Sequence, residues 1–279
     1  MTSTGFIGLG TIGSAMARRL PADSLWVHDI RAEAMTSFVE QGARAGSLRD
    51  LAIACDVISL VVLTDAQVRS VVSELVEDAR PGTVIAIHST IDTQTAPQLA
   101  ESAARQGVHV IDAPVSGGGA GAAAGRLAVM VGGERQAYER AKPVFRHWAE
   151  LVLHVGPAGA GTQCKLARNL LTFAGFAVAA EASRLAEAAG VDIRKLAAVV
   201  RHSDAVTGGP GAIMVRASTA GLDATDDLRP IFEHTRTLGE KDLTLALAMG
   251  EALGLDLPFA ALARQTLATD LGVPHQPHQ

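Results

Sequence analysis

Gly5-Phe6-Ile7-Gly8-Leu9-Gly10-Thr11-Ile12-Gly13 is a short apolar run that ends in Gly-x-Gly-x-x-Gly, and Ser14-Ala15-Met16-Ala17-Arg18-Arg19-Leu20 continues it with helix-compatible residues. The pattern predicts a strand, a tight loop and a helix. Gly8 permits the sharp turn, Gly10 leaves the backbone open to a pyrophosphate, and Gly13 lets the helix pack closely on the strand. Free N–H groups at the helix start then face the phosphates. This makes Gly8, Leu9, Gly10, Thr11, Ile12 and Gly13 candidate cofactor contacts. Glycine spacing alone is a weak signal, because a glycine-rich turn of any α/β protein shows it. A second apolar segment, Leu25-Trp26-Val27-His28, strengthens it by ending in Asp29, nineteen residues after Gly10. An acid at that place accepts hydrogen bonds from a ribose 2′-OH. The chain is therefore expected to bind a dinucleotide.

Working outward, strand-like and helix-like segments alternate through the first half. Val57–Val62, Thr83–Ile87, Val108–Ile111, Leu127–Val131 and Leu151–Val155 read as strands, and Ala66–Ala79, Thr93–Arg105 and Glu134–Trp148 as helices. Continuous apolar runs between helices predict a parallel sheet covered on both faces. From Gly161 the pattern is helical almost to the end. Leu166, Leu170, Phe173, Ala177 and Ala180 recur at helical spacing, so Thr162–Ala189 is expected as one long helix. A boundary near Gly159–Gly161 divides residues 1–160 from residues 161–279. The tail Pro274–Gln279 reads as disordered, and its two histidines as a polar tail rather than a metal site.

With 279 residues, 48% of them hydrophobic and 19% charged, the chain is long enough and apolar enough for a sizeable core. A net charge of −5 gives no basic footprint for nucleic acid. No apolar run reaches the ~18 residues of a membrane helix. Cys55 and Cys164 lie far apart in the chain and form no motif, as free thiols of a reducing compartment do. The N-terminus lacks a basic segment followed by an apolar stretch, so a cytoplasmic location is expected.

Three further segments carry chemistry. Asp112-Ala113-Pro114-Val115-Ser116-Gly117-Gly118-Gly119 follows a strand, where ligands of open α/β sheets bind. Its exposed N–H groups and the Ser116 hydroxyl suit a carboxylate or phosphate, the alternative being a flexible surface loop. Lys165 and Asn169 lie four apart and share a helix face. Lys165 suits a general acid if burial or nearby positive charge lowers its pKa, although spacing alone favours a solvated lysine. Glu240-Lys241-Asp242-Leu243, taken alone, reads as a solvated face with one charge pair.

Together these motifs resemble the β-hydroxyacid dehydrogenase family, which includes 3-hydroxyisobutyrate dehydrogenase and tartronate semialdehyde reductase. The resemblance is carried, in order, by Gly8–Gly13, Asp112–Gly118, Gly159-x-Gly161-x-x-x-Lys165-x-x-x-Asn169 and Lys241-Asp242-Leu243, with Ser89-Thr90 and Gly121–Gly133 matching as well. It implies a Rossmann-like N-terminal domain (1–160) followed by an all-helical C-terminal domain (161–279) for substrate binding and oligomerisation, with the active site between them. It also implies an NAD-dependent oxidoreductase, with NADP as the alternative cofactor, acting on a 3-hydroxy acid. By resemblance Lys165 is the catalytic lysine, Ser116, Gly117 and Gly118 bind the substrate carboxylate, and Asn169 orients the substrate. Thr90 and Lys241 touch the nicotinamide end, and Leu63-Thr64 stand where Leu-Pro is usual beside the cofactor. No metal is implied.

The departures are Ile12 for a methionine, Arg168 for an asparagine, Val68 for an asparagine, and His234 for a phenylalanine; His202–Gly211 has no match. They cluster on the substrate side, so His234, Arg168 or His202–Gly211 is expected to set substrate choice. The apolar faces of the long helix, with Phe173, Phe176 and Val178, predict a homodimer or a tetramer of dimers. The competing readings are an imine reductase, which usually lacks this lysine, and an NAD-binding protein without turnover.

Overall fold

The structure, a computed structural model, describes residues 2–275. Residues 276–279, most of the tail read as disordered, lie outside the described residues. The chain forms two compact units, Met1–Asn169 and Leu170–Gln279.

The first unit begins with β1 (Thr4–Ile7), α1 (Thr11–Ala17), β2 (Leu25–His28), α2 (Glu33–Glu40), β3 (Arg44–Ala45), α3 (Leu48–Ala54), β4 (Val57–Leu60), α4 (Asp65–Asp78), β5 (Val84–Ile87) and α5 (Thr95–Ala104). It continues with β6 (His109–Asp112), β7 (Val115–Ser116), α6 (Gly118–Ala124), β8 (Leu127–Gly132), α7 (Arg135–Phe145), β9 (Ala149–Gly156) and the start of α8 (Ala160–Ala188). The strands form one sheet in the order β3-β2-β1-β4-β5-β6-β8-β7, and β9 also pairs with β8. β1, β4 and β5 are buried at every position, as expected of parallel strands covered on both faces. One face packs Phe6, Met16, Phe145 and Trp148; the other packs Leu51, Ile58, Leu75 and Ile85. Phe6 and Trp148 meet edge to face at 5.9 Å, and the His88 ring lies 5.8 Å from Trp148 and 5.1 Å from Phe145. This is the Rossmann-like architecture that the resemblance implied.

The sheet departs from all-parallel at one edge. β6 and β7 both pair antiparallel with β8, in one continuous register from Asp112↔Gly132 to Ser116↔Ala128. They are one extended segment, interrupted where Pro114 has no N–H to give to a ladder. The expected glycine loop is accordingly more ordered than its composition suggests: Val115–Ser116 is strand, and Gly118 opens α6. The chain between Glu33 and Ala54, left unassigned from sequence, folds as α2, β3 and α3. α3 starts on a capping box between Ser47 and Asp50.

The second unit holds the remainder of α8, then α9 (Ile193–Thr207), α10 (Arg229–Ala252) and α11 (Pro258–Leu271). Among its described residues there is no strand, as expected for the helical half. α11 has Pro258 at its first position, and buried Glu181 of α8 accepts hydrogen bonds from Phe259 N–H (3.2 Å) and Ala260 N–H (2.9 Å). Phe232, Leu271 and Val273 form a small buried cluster. His202–Gly211 ends α9 at Gly208 and enters a short 3-10 turn, Gly209–Ile213. Among the described residues no helix is long and apolar enough to cross a membrane.

Candidate active site

In the first unit, a cleft of about 700 Å³ opens at the carboxyl ends of β1, β2 and β4, lined by Gly8, Gly10, Thr11, Asp29, Leu63 and Gln67 among others. Gly8 has φ +88°, and a Cβ there would overlap the Val61 carbonyl. At Gly10 a Cβ would meet nothing within 4 Å, so backbone faces open space. A Cβ on Gly13 would press on the Gly8 carbonyl oxygen, so α1 lies close to the loop. Gly10 caps α1 without a side-chain hydrogen bond.

Asp29 is buried at the end of β2. Its Oδ2 accepts from Leu9 N–H at 2.7 Å, and Oδ1 accepts from Arg31 N–H at 2.9 Å and Arg31 Nε–H at 3.2 Å. Burial alone raises its pKa, but these bonds outweigh burial and hold the carboxyl below the usual value. One lone pair of Oδ2 remains for a ligand hydroxyl. Leu63 is exposed on the cleft wall. Thr64 is not a wall residue but the N-cap of α4: its hydroxyl accepts from Gln67 N–H (3.2 Å), while Gln67 Oε1 accepts from Leu63 N–H (3.0 Å) and Thr64 N–H (3.1 Å). Ser89 Oγ donates to Val62 O at 2.6 Å and fastens the turn after β5 to the one after β4, leaving Thr90 exposed beside it. Gly10's open backbone, the buried acid and a cleft inside the ~300–1,000 Å³ range of small-molecule sites fit a nicotinamide dinucleotide.

The predicted substrate loop follows β6. Ser116 is half-buried in β7; Gly117 follows with φ +130°, and Gly118 is exposed with open space over its α-carbon. Lys165 and Asn169 are both half-buried on α8. Burial first, and the Arg168 guanidinium second, push the Lys165 pKa below the ordinary lysine value. Asp112 connects the two groups. Wholly buried at the end of β6, its Oδ1 accepts from Gly159 N–H at 2.7 Å and its Oδ2 from Thr162 N–H at 2.6 Å. Two backbone donors at the start of α8 are thereby satisfied by a charge that suits a helix N-terminus. Lys241 is on α10 in the second unit, 3.1 Å from Asp242, with both side chains exposed. His234 is exposed on the same helix.

Sequence reasoning missed the tethering by Asp112 and the part played by Gln67. The spacing Thr64-x-x-Gln67 is a capping-box signal that identifies the second. For Asp112 the only signal is an acid closing an apolar strand; its partners are 47 and 50 residues away.

Two family models span the chain. One, the NAD binding domain of 6-phosphogluconate dehydrogenase, matches residues 3–156. The other, the NAD-binding of NADP-dependent 3-hydroxyisobutyrate dehydrogenase, matches residues 159–272. The chain is 57% identical to an uncharacterized oxidoreductase of Mycobacterium tuberculosis, over 97% of this chain and 94% of that one. It is 34% identical to the NAD-dependent L-serine dehydrogenase of Pseudomonas aeruginosa, over 94% and 90%. Among solved structures, an oxidoreductase from Mycobacterium avium 104 superposes with a TM-score of 0.93 at 55% identity, over 99% of this chain and 100% of that one. The 3-hydroxyisobutyrate dehydrogenase of M. tuberculosis, solved with L-serine, gives 0.67 at 31% identity, over 96% and 93%. A Streptomyces aurantiacus imine reductase shares the fold, with a TM-score of 0.72 at 18% identity over 97% and 95%.

Proposed function

Because the chain belongs to the 6-phosphogluconate/3-hydroxyisobutyrate dehydrogenase family of NAD(P)-binding oxidoreductases, we propose that it oxidises a short 3-hydroxy acid reversibly, with Lys165 as general base and acid. The observation that carries this reading is Lys165 itself: half-buried, lowered in pKa, on a helix tied through Asp112 to the strand that leads into Ser116–Gly118. When bound, the nicotinamide supplies the hydride acceptor, or the hydride in reverse. Lys165 Nζ takes the hydroxyl proton during oxidation and returns it to the carbonyl oxygen during reduction. A depressed pKa leaves more of the lysine as free amine, which proton abstraction needs. The Ser116 hydroxyl and the N–H groups of Gly117 and Gly118 donate to the substrate carboxylate. The Asn169 amide orients the reacting hydroxyl. Asp29 takes the adenosine ribose, Leu63 flanks the cofactor, and Thr90 and Lys241 meet its nicotinamide end.

What the relatives share supports this substrate class. Serine and 3-hydroxyisobutyrate both carry a hydroxyl two carbons from a carboxylate, and the P. aeruginosa relative is an L-serine dehydrogenase. Arg168 and His234, in place of the residues usual in the family, favour a larger or more polar acid than 3-hydroxyisobutyrate. Lys165 weighs against imine reduction and against a silent NAD-binding protein. Free Cys55 and Cys164 support a reducing, cytoplasmic setting. Exposed Phe173, Phe176 and Val178 on α8 support a homodimer or a tetramer of dimers.

Mixing the protein with NAD and a panel of 3-hydroxy acids, L-serine among them, and following absorbance of the reduced cofactor tests the activity. Lys165→Ala is expected to lower kcat by ~10²–10⁴-fold with NADH affinity nearly unchanged. A loss under about threefold would assign the proton to another group, Lys241 first.

A further inference from the structure

We propose that Asp112 is a positioning residue for the reaction: it sets the start of α8, and with it Lys165 and Asn169, against the strand that leads into Ser116–Gly118. The inference rests on reading Lys165 as the acid–base group. A cap needed only for helix stability is normally drawn from the residue at the helix start. Gly159 stands there and offers no side chain, and the cap comes instead from the strand that carries the carboxylate loop. Both hydrogen bonds are shorter than the ~2.9 Å of an ordinary N–H···O bond, as charge-assisted bonds are. One reaches the loop before α8 and the other its first turn, so the carboxylate restrains both the advance and the rotation of the helix. Lys165 lies three residues and Asn169 seven beyond Thr162, which places all three on one face.

The strand side is held as firmly. Asp112 pairs with Gly132 of β8, and Ser116 pairs with Ala128 in the same register. A Cβ on Gly132 would lie 2.5 Å from Asp112 Oδ1, 2.6 Å from Gly161 N and 2.7 Å from Pro157 O. Strand, carboxylate and helix start therefore touch without slack. A displacement of about 1 Å at a reacting group costs about a hundredfold in rate, so this joint governs proton transfer more than ligand binding.

Asp112→Asn keeps the size but turns an NH2 donor against one of the two backbone N–H groups. The variant is expected to bind NADH within about threefold of the parent, to keep its KM for the hydroxy acid, and to lose about ten- to a hundredfold in kcat. A variant that melts earlier yet keeps kcat within about twofold would overturn the proposal, leaving Asp112 a stability residue. If Asp112→Asn does not fold, Gly132→Ala, which displaces the same helix start with every charge kept, is read by the same criteria. If neither folds, Asp112 serves stability alone and the proposal fails. A parent enzyme without Lys165-dependent turnover would refute the proposed function but not this joint. The readout is then the rate at which acetic anhydride acylates Lys165 in each protein, measured by peptide mass spectrometry. A rise confined to Lys165 in Asp112→Asn supports the positioning role, and an unchanged rate refutes it.

Discussion

The two units treat their large apolar side chains in opposite ways. The bulkiest fully buried side chains, Trp148, Phe6, Phe145 and Met16, belong to the first unit, while the buried cluster of the second is small, Phe232, Leu271 and Val273. In the second, Phe173 and Phe176 are 63% and 64% exposed, Val206 is 75% exposed, and Leu245 on α10 is 61% exposed. A parallel sheet with its own crossover helices covers both of its faces, so the first unit is complete in itself. Helices that are apolar on more than one side cannot cover one another in so small a bundle. The comparison teaches that the first half encloses its large apolar side chains itself, whereas the second leaves many of its own exposed.

The sharpest way to break this comparison is to charge the bare face. If the proposed oligomer is built on this face, Phe173→Glu/Phe176→Glu should raise its dissociation constant by about a hundredfold or more, given ~2 kcal/mol for each anchoring aromatic. Light scattering reads the mass, and a parent protein that is monomeric at micromolar concentration would remove the argument for outside cover.

His88 tests the self-sufficiency of the first unit. Wholly enclosed, its Nδ1–H donates to Ala113 O at 2.7 Å, because a carbonyl only accepts, and Nε2 then accepts from Ser59 Oγ–H at 3.1 Å. Burial drives its pKa from 6.5 down to about 4, outweighing the bond to Ala113. The folded state thus holds fewer protons than the unfolded state between those values. Stability is full above pH 6.5 and falls as pH drops towards 4, by about 3 kcal/mol from this residue. Urea unfolding at a series of pH values should show this slope in the parent and a shallower one in His88→Gln; parallel slopes would contradict it.

Cofactor choice is a smaller effect. Asp29 disfavours a 2′-phosphate while the neighbouring Arg31 attracts one, so kcat/KM should favour NAD over NADP by about tenfold, or 1.4 kcal/mol. Equal values would mean that Arg31 governs the ribose end. The smallest effect belongs to the second unit: His234→Phe should reorder a panel of hydroxy acids by a few-fold, as about 1 kcal/mol at a pocket wall does. An unchanged order would show that His234 does not set selectivity.

The fold was readable wherever a single periodicity ruled. The runs Val57–Val62 and Thr83–Ile87 are strands because only a sheet buries a continuous β-branched stretch on both sides. Thr162–Ala189 was legible as a helix for the complementary reason, an apolar recurrence at helical spacing, and it forms as Ala160–Ala188. α2 and α3 were missed because Glu33–Ala54 is short and mixed, and tertiary packing decides such segments. β7 was missed because glycine and proline composition hides two residues that pair with β8. At the site, residue types were legible but partnerships were not. Thr64 matched a cofactor position, yet its hydroxyl caps α4. Asp112 was quoted as part of a motif, yet its place at the start of α8 depends on a contact 50 residues away, which no local pattern encodes.

The packing of Trp148 against Phe6 has an optical consequence. The chain has two tryptophans, Trp26 and Trp148, and its one tyrosine, Tyr138, also belongs to the first unit. Excitation near the red edge of protein absorption therefore sees the dinucleotide-binding half alone, whereas far-ultraviolet dichroism reports the helices of both halves. Recorded on one sample, the two signals form a natural pair of reporters. If emission and ellipticity trace the same transition, the halves melt as one cooperative body; if ellipticity shows a further transition that emission lacks, that transition belongs to the helical half, with no label introduced.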